Sequence, residues 1–102
     1  RLEGKIAIIT GAASGIGEAA AKLFAENGAF VVIADIEDEL GLQVVASIGP
    51  DRATYKHCDV RDEKQVEEVV SYAIEKYGSL DIMYSNAGIM GPLGSILEME
   101  ME

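Results

Sequence analysis

The stretch from Lys5 to Gly17 reads KIAIITGAASGIG, and it decides the fold of this chain. It begins with an almost wholly apolar run, Lys5 to Ile9, which is typical of a strand buried on both faces of a sheet. A glycine-rich turn follows. From about Ile16 to Asn27 the apolar residues recur at helical spacing. The stretch therefore predicts a strand, a tight turn and a helix in immediate succession.

The same alternation of strand and helix continues through the chain. The further predicted strands are Phe30–Ala34, Ala53–Cys58 and Leu80–Tyr84, and the further predicted helices are Asp38–Ile48 and Asp62–Tyr77. Short connections between alternating elements indicate parallel strands joined by right-handed crossovers. The pattern βαβαβαβ predicts an α/β fold, the first half of a doubly wound parallel sheet, which binds ligands at the carboxyl ends of its strands.

Composition and charge restrict the possible partners and the compartment. The 102 residues are 49% hydrophobic and 25% charged, as in a folded domain. The net charge of −10 argues against nucleic acid or an anionic membrane as a partner. No apolar run approaches the ~20 residues of a membrane span. Because Cys58 is the single cysteine and no signal-peptide pattern is present, we expect a reducing compartment and a cytoplasmic protein.

The glycine-rich turn has the pattern that a phosphate-binding turn requires. Its first glycine allows a sharp turn, the second allows a phosphate to approach the backbone, and the third allows the helix to pack closely. The following helix presents unpaired N–H groups and the positive end of its dipole to an anion. We therefore expect a dinucleotide at Gly11, Ser14, Gly15, Ile16 and Gly17, with the Ser14 hydroxyl as an added donor. The alternative is a plain tight turn.

An acidic residue stands at the end of the second predicted strand. Asp35 lies 18 residues beyond Gly17, close to the spacing at which a carboxylate accepts hydrogen bonds from the adenosine ribose. Such a carboxylate repels a 2′-phosphate, and neither Ile36 nor Glu37 offers a compensating positive charge. Asp35 and Ile36 are thus predicted to bind NAD rather than NADP. The alternative for Asp35 is a helix cap or a solvated turn residue.

Together with this acid, further motifs in the same order resemble those of the short-chain dehydrogenase/reductase family. Thr10 completes the signature Thr-Gly-x-x-x-Gly-x-Gly, Asp59-Val60 follows the third predicted strand, and Asn86-Ala87-Gly88 follows the fourth. The resemblance extends over residues 3–97. Within that family, the sequence is most similar to the plant branch of secoisolariciresinol and xanthoxin dehydrogenases, which oxidise alcohols of terpenoids, lignans and xanthoxin.

The resemblance implies a Rossmann-type sheet and a role for each motif. It implies that the Asp59 carboxylate meets the adenine amino group, with Val60 beside it. It implies that Asn86 braces the central strands while the backbone of Ala87 and Gly88 passes the ribose. The implied activity is transfer of a hydride between NAD and a secondary alcohol or ketone, by an enzyme that acts as a homo-oligomer.

In that family the catalytic Asn, Ser, Tyr and Lys follow the Asn-Ala-Gly motif, and they have no matching position in this chain. Both ends, Arg1 and Glu102, look cut. We therefore expect residues 1–102 to be the NAD-binding domain of a longer enzyme, truncated after the fourth strand and inactive alone. A non-catalytic nucleotide-binding module or natural truncation is the alternative. A flavodoxin-like domain is disfavoured by the placement of Asp35 and Asp59.

Two smaller patterns are interpreted as structural. Tyr72 and Lys76 match Tyr-x-x-x-Lys, but their helix runs antiparallel to the strands and carries them towards the amino ends of the sheet. Tyr72 is also predicted to be solvent-exposed, off the apolar stripe of the helix, which is formed by Val66, Val69, Val70, Ala73, Ile74 and Tyr77. His57 and Cys58 are adjacent in a strand and point to opposite faces, so no metal site is expected.

Overall fold

The computed structural model describes residues 2–12 and 15–85, which form a parallel four-stranded sheet with helices on both faces. The strands are β1 (Ile6–Thr10), β2 (Phe30–Asp35), β3 (Ala53–His57) and β4 (Ile82–Ser85); the helices are α1 (Gly15–Glu26), α2 (Asp38–Ile48) and α3 (Glu63–Tyr77). The strand order β3-β2-β1-β4 confirms the predicted half of a doubly wound sheet. No helix in these ranges has the length and apolar character needed to cross a membrane.

The two central strands divide their side chains between two hydrophobic cores. Alternate residues such as Ile9 and Ile33 pack under α1 and α2, while Ile8 and Val32 pack under α3. All five residues of β1 are buried. The continuous apolar runs in the sequence follow from this, since a strand covered on both faces has no polar side.

Strands β1 and β4 begin later than predicted, because a side chain starts the ladder between them. The carboxylate of Asp81 accepts a hydrogen bond from the Ile6 N–H at 2.9 Å, and the Asp81 N–H donates to the Ile6 carbonyl, also at 2.9 Å. The Lys5 N–H instead donates to the Leu2 carbonyl in the preceding turn. The apolar run that begins at Leu80 therefore overstates the length of β4.

Helix α3 has the ends that the sequence indicates, with one shift. Asp62 is its N-cap rather than its first residue, and the Asp62 carboxylate accepts from the Lys64 N–H at 3.0 Å. Gly78 ends the helix with a φ of 90°, a left-handed conformation that favours glycine. The predicted end of this helix at Tyr77 is confirmed.

The prediction for the buried face of α3 is wrong at two positions. Tyr72 is half-buried and packs against the core under α3, whereas Ile74 is 47% exposed. Val69 and Ala73 are fully buried and define the centre of the helix face. Tyr72 and Ile74 flank that centre on opposite sides, and the side that carries the long tyrosine ring reaches the core.

A stack of side chains covers the amino end of the sheet. The ring of Phe30, the first residue of β2, stacks on Tyr77 with centroids 5.3 Å apart. The Arg52 guanidinium lies 5.0 Å over the Phe30 ring and donates to the Gly28 carbonyl at 3.0 Å. Lys76 lies 5.7 Å over the ring of Tyr77. The end of α3 is thus fixed at the edge of the sheet opposite to the strand carboxyl ends.

The contact between Asp81 and Ile6 yields a test of the fold. Replacing Asp81 with Ala removes the acceptor of a part-buried N–H, which costs about 1–3 kcal/mol of unfolding free energy. Asp81→Asn keeps an acceptor oxygen and should lose less. Urea unfolding measures both, with exposed Asp51→Ala as the control. Equal stability of the Asp81→Ala and Asp51→Ala variants would contradict this role.

Candidate functional site

The carboxyl ends of three neighbouring strands surround one cavity. It has a volume of about 140 Å³ and is lined by Gly11, Asp35, Ile36, Cys58, Asp59, Val60 and Arg61. Gly11 follows β1, Asp35 ends β2, and the segment from Cys58 to Arg61 follows β3. Five of the residues predicted for the cofactor, Gly11, Asp35, Ile36, Asp59 and Val60, therefore lie around the same space.

The glycine-rich turn is closed by a backbone contact between its two ends. Gly11 and Gly15 have φ values of 66° and 63°, in the left-handed region. A Cβ at buried Gly17 would lie 2.2 Å from the carbonyl oxygen of Gly11. Gly17 is therefore required by the backbone of the turn itself, and the start of α1 lies directly on the end of β1. Gly15 and Ile16 are exposed beside it.

Four predicted site residues lie outside the described ranges: Ser14, Asn86, Ala87 and Gly88. Their roles stay predictions. The last described residue of β4, Ser85, pairs in register with Thr10 of β1. Thr10 is buried, and its hydroxyl donates to the Tyr84 carbonyl at 3.5 Å.

Both the side chain and the backbone of Asp35 accept hydrogen bonds from neighbouring residues. One oxygen of its carboxylate accepts from the Glu37 N–H at 3.0 Å. Its carbonyl oxygen accepts from the Cys58 N–H at 3.0 Å and from the hydroxyl of Tyr55 at 2.6 Å. Glu37, and not Asp35, is the N-cap of α2. Asp35 thus forms a turn with Glu37 while its half-buried side chain borders the cavity.

Asp59 has a partner that the sequence did not indicate. The Arg61 guanidinium donates to both oxygens of the Asp59 carboxylate at 3.1 Å, and the Arg61 N–H donates to one of them at 3.0 Å. These hydrogen bonds, first from the side chain and then from the backbone, hold the pKa of Asp59 below its usual range. The Asp59 N–H donates to the Gln65 side chain at 2.8 Å. Asp59 is therefore an ionised, oriented carboxylate with its charge balanced locally.

A second cluster beside the cavity was also missed. The Asp38 carboxylate makes short contact with the Tyr55 hydroxyl, and the same oxygen lies 2.8 Å from Nδ1 of His57. The hydrogen bond from Tyr55 and then that from His57 lower the pKa of Asp38. Burial, followed by the hydrogen bond to Asp38, raises the pKa of Tyr55. Two signals pointed here: Tyr55 and His57 share one face of β3 by alternation, and a glycine, Gly41, lies inside α2.

The Tyr-x-x-x-Lys pattern lies away from this cavity. Tyr72 packs on the core under α3, and Lys76 lies over the Tyr77 ring at the amino end of the sheet. Neither residue lines the cavity at the strand carboxyl ends.

Comparison with known proteins shows the family to which this chain belongs. The family model for short chain dehydrogenases matches residues 5–102. Short-chain dehydrogenase reductase 5 of Arabidopsis thaliana is 55% identical over 102 residues, which are 100% of this chain and 39% of that protein. Secoisolariciresinol dehydrogenase of Forsythia intermedia is 59% identical over 92 residues, 90% of this chain and 33% of that protein. The chain therefore belongs to the short-chain dehydrogenase/reductase family.

A solved structure agrees with the fold. The crystal structure of a short-chain dehydrogenase/reductase described as glucose/ribitol dehydrogenase, from Brucella melitensis, superposes with a TM-score of 0.81 at 34% identity. The superposition covers 87% of this chain and 38% of that one. The chain thus spans less than half the length of the relatives that it matches.

The pair formed by Asp59 and Arg61 is testable by titration. We expect the Asp59 carboxyl to titrate below the ordinary range of an aspartate, and Arg61→Gln to move its midpoint upwards. Because the folded-state pKa is lowered, the pair stabilises the fold above the unfolded-state pKa, and this contribution is lost as pH falls through the folded-state value. Carbon-13 NMR of the Asp59 carboxyl group follows the midpoint in the wild type and in the variant. An unchanged Asp59 midpoint in the variant would show that Arg61 does not cause the shift.

Proposed function

We propose that this chain is the NAD(H)-binding part of an oxidoreductase that transfers a hydride between nicotinamide and a secondary alcohol or ketone. The observation that carries the proposal is the cavity shared by Gly11, Asp35 and Asp59, each from a different strand end. Membership of the short-chain dehydrogenase/reductase family supports a nicotinamide cofactor and a small-molecule substrate. The cofactor, when bound, supplies the hydride acceptor or donor.

The residues around the cavity fit the adenosine half of such a cofactor. The Asp35 carboxylate would accept hydrogen bonds from the ribose hydroxyls, and the Asp59 carboxylate would accept from the adenine amino group. Ile36, which is 52% exposed, and Val60 supply apolar surface for the base. A purine nucleoside needs this combination of apolar walls and a few hydrogen-bond acceptors at fixed positions.

The pyrophosphate would lie at the glycine-rich turn. The close contact of Gly17 with Gly11 puts the first turn of α1 directly beyond β1, where its unpaired N–H groups offer donors to an anion. The overall charge of −10 repels a dinucleotide, so this local positive field is essential for binding. Ser14 is proposed to add a hydroxyl donor to the same phosphates.

Asp35 is proposed to make the site select NAD over NADP. Two unit charges about 4 Å apart repel by about 1 kcal/mol in bulk water and about 4 kcal/mol at an effective dielectric constant of 20. The half-exposed site lies towards the lower value, with lost ribose hydrogen bonds in addition. Because about 1.4 kcal/mol corresponds to a factor of ten in affinity, we expect NAD to bind at least about tenfold more tightly.

The cofactor preference should invert when the charge at this position is reversed. The double variant Asp35→Ala with Ile36→Arg removes the repulsion and adds a guanidinium for the 2′-phosphate. Titration calorimetry of NAD and NADP against both proteins measures the ratio of dissociation constants. The control is Glu39→Ala, which removes an exposed acid from the first turn of α2. An unchanged ratio in the double variant, or equal affinities in the wild type, would rule out Asp35 as the ribose ligand.

Residues 1–102 on their own are proposed to bind cofactor without turning it over. The Tyr-x-x-x-Lys pattern of the described residues has its lysine at the amino end of the sheet, opposite to the cavity. General acid–base catalysis typically contributes about 10²–10⁴-fold, and reduction of a ketone needs a proton delivered at the site. This placement favours a nucleotide-binding module as the role of these residues in isolation.

An assay of turnover by the 102-residue chain tests whether these residues are catalytically inactive on their own. We expect no steady production of NADH from a panel of secondary alcohols, and no effect of Tyr72→Phe on that background. The protein expressed from its full open reading frame is assayed in parallel. Steady turnover by the 102 residues that Tyr72→Phe abolishes would show that the pattern on α3 is catalytic after all.

A further inference from the structure

One hydroxyl group ties together the two ends of the loop between β2 and α2. The Tyr55 hydroxyl lies 2.6 Å from the carbonyl oxygen of Asp35 and in short contact with the carboxylate of Asp38. Asp35 is the last residue of β2, and Asp38 is the first residue of α2. Tyr55 itself is not among the residues that line the cavity. Any effect of Tyr55 on a bound nucleotide must therefore pass through this loop.

The ring of Tyr55 packs against α2 at Gly41, where a side chain would overlap with the ring. A Cβ at Gly41 would lie 2.2 Å from Cε1 and 2.4 Å from Cδ1 of the Tyr55 ring. Glycine inside a helix is less favourable than alanine by about a factor of five in the helix–coil equilibrium. Gly41 is nevertheless found at a buried position of α2, because the absence of a side chain there leaves room for the Tyr55 ring.

Two further hydrogen bonds from the end of β3 reach the same loop. The Cys58 N–H donates to the Asp35 carbonyl at 3.0 Å, and Nδ1 of His57 lies 2.8 Å from the Asp38 carboxylate. The Asp38 pair with His57 is more than half exposed, so it is weak by itself. The Tyr55 hydroxyl contacts both Asp35 and Asp38, and its part-buried ring packs directly against α2 at Gly41.

We propose that Tyr55 is a positioning residue for Asp35: its hydroxyl holds the loop in the geometry in which the Asp35 carboxylate meets the ribose. This rests on the proposed function, since it assigns a residue to the same nucleotide site. It predicts two linked consequences of losing the hydroxyl. A displaced Asp35 accepts less well from the 2′-hydroxyl of NAD, and it also repels the 2′-phosphate of NADP less.

The ratio of the NAD and NADP affinities distinguishes a positioning role of Tyr55 from a packing role. A tyrosine that only fills space affects the unfolding free energy and changes the binding of both cofactors equally. A positioning residue changes NAD and NADP in opposite senses. Tyr55→Phe keeps the ring on Gly41 and removes the hydroxyl alone, so it isolates the hydrogen bonds.

The experiment measures dissociation constants for NAD and NADP by titration calorimetry, in the protein expressed from its full open reading frame. For Tyr55→Phe we expect NAD affinity to fall about fivefold, and the NAD-to-NADP preference to fall by at least as much. Tyr77→Phe is the matched control, because it removes the same atom from a ring stacked at the amino end of the sheet. It should leave both affinities unchanged. Gly41→Ala, which displaces the ring, should reproduce the loss of preference.

The outcomes separate this inference from the proposed function. If the wild type binds NAD and Tyr55→Phe leaves the preference unchanged, with or without a lower melting temperature, the positioning role is overturned while the proposed function stands. If the wild type binds neither cofactor, the proposed function fails and the role of Tyr55 fails with it. A loss of preference in Tyr55→Phe that Tyr77→Phe does not share supports the proposal.

Discussion

Strand β1 is hydrogen-bonded on both edges and buried on both faces, and most of the site follows from that constraint. Its neighbours β2 and β4 run parallel to it, so all three strands end at the same edge of the sheet. The chain can leave β1 only through a turn that its neighbours do not obstruct. The contact of Gly17 with the Gly11 carbonyl provides this turn and brings α1 back over the sheet at once. The cavity at the carboxyl edge of the sheet is the result.

The two carboxylates of the cavity have different electrostatic surroundings. Asp59 shares its charge with the guanidinium of Arg61, so it offers oriented acceptors with little net field. Asp35 accepts a backbone N–H from Glu37. In the proposed site, the Asp59 carboxylate paired with Arg61 would face the uncharged base, and the Asp35 carboxylate would face the ribose. Under the proposed function, these two carboxylates would contact two different parts of the same nucleoside.

The sequence predicted what depends on local pattern. Buried strands and amphipathic helices are local features, and the elements and their order followed from them, as did the placement of Gly11 and Asp35 at strand ends. Asp59 and Val60 were expected from the family resemblance, whereas Cys58 and Arg61 were not predicted to line the cavity. The prediction failed where a side chain acts across the fold. The pairing of Asp81 with β1, the reach of the Tyr72 ring and the cluster of Tyr55 with Asp38 all join residues that are distant in sequence. One of these contacts was signalled in advance, by Gly41 as an unfavourable residue inside a helix and by the alternation that puts Tyr55 and His57 on one face of β3.

The fit between the Tyr55 ring and Gly41 makes β3 and α2 a single unit for protein engineering. A segment from Asp35 to Gly41 transplanted from a relative would arrive with its own residue at position 41 and its own need for a partner on β3. The graft would be accommodated only if the residue at position 55 moved with it. If Asp35 sets the cofactor preference as proposed, exchange of that preference is better attempted by transferring the loop and its facing strand together than by replacing the loop alone.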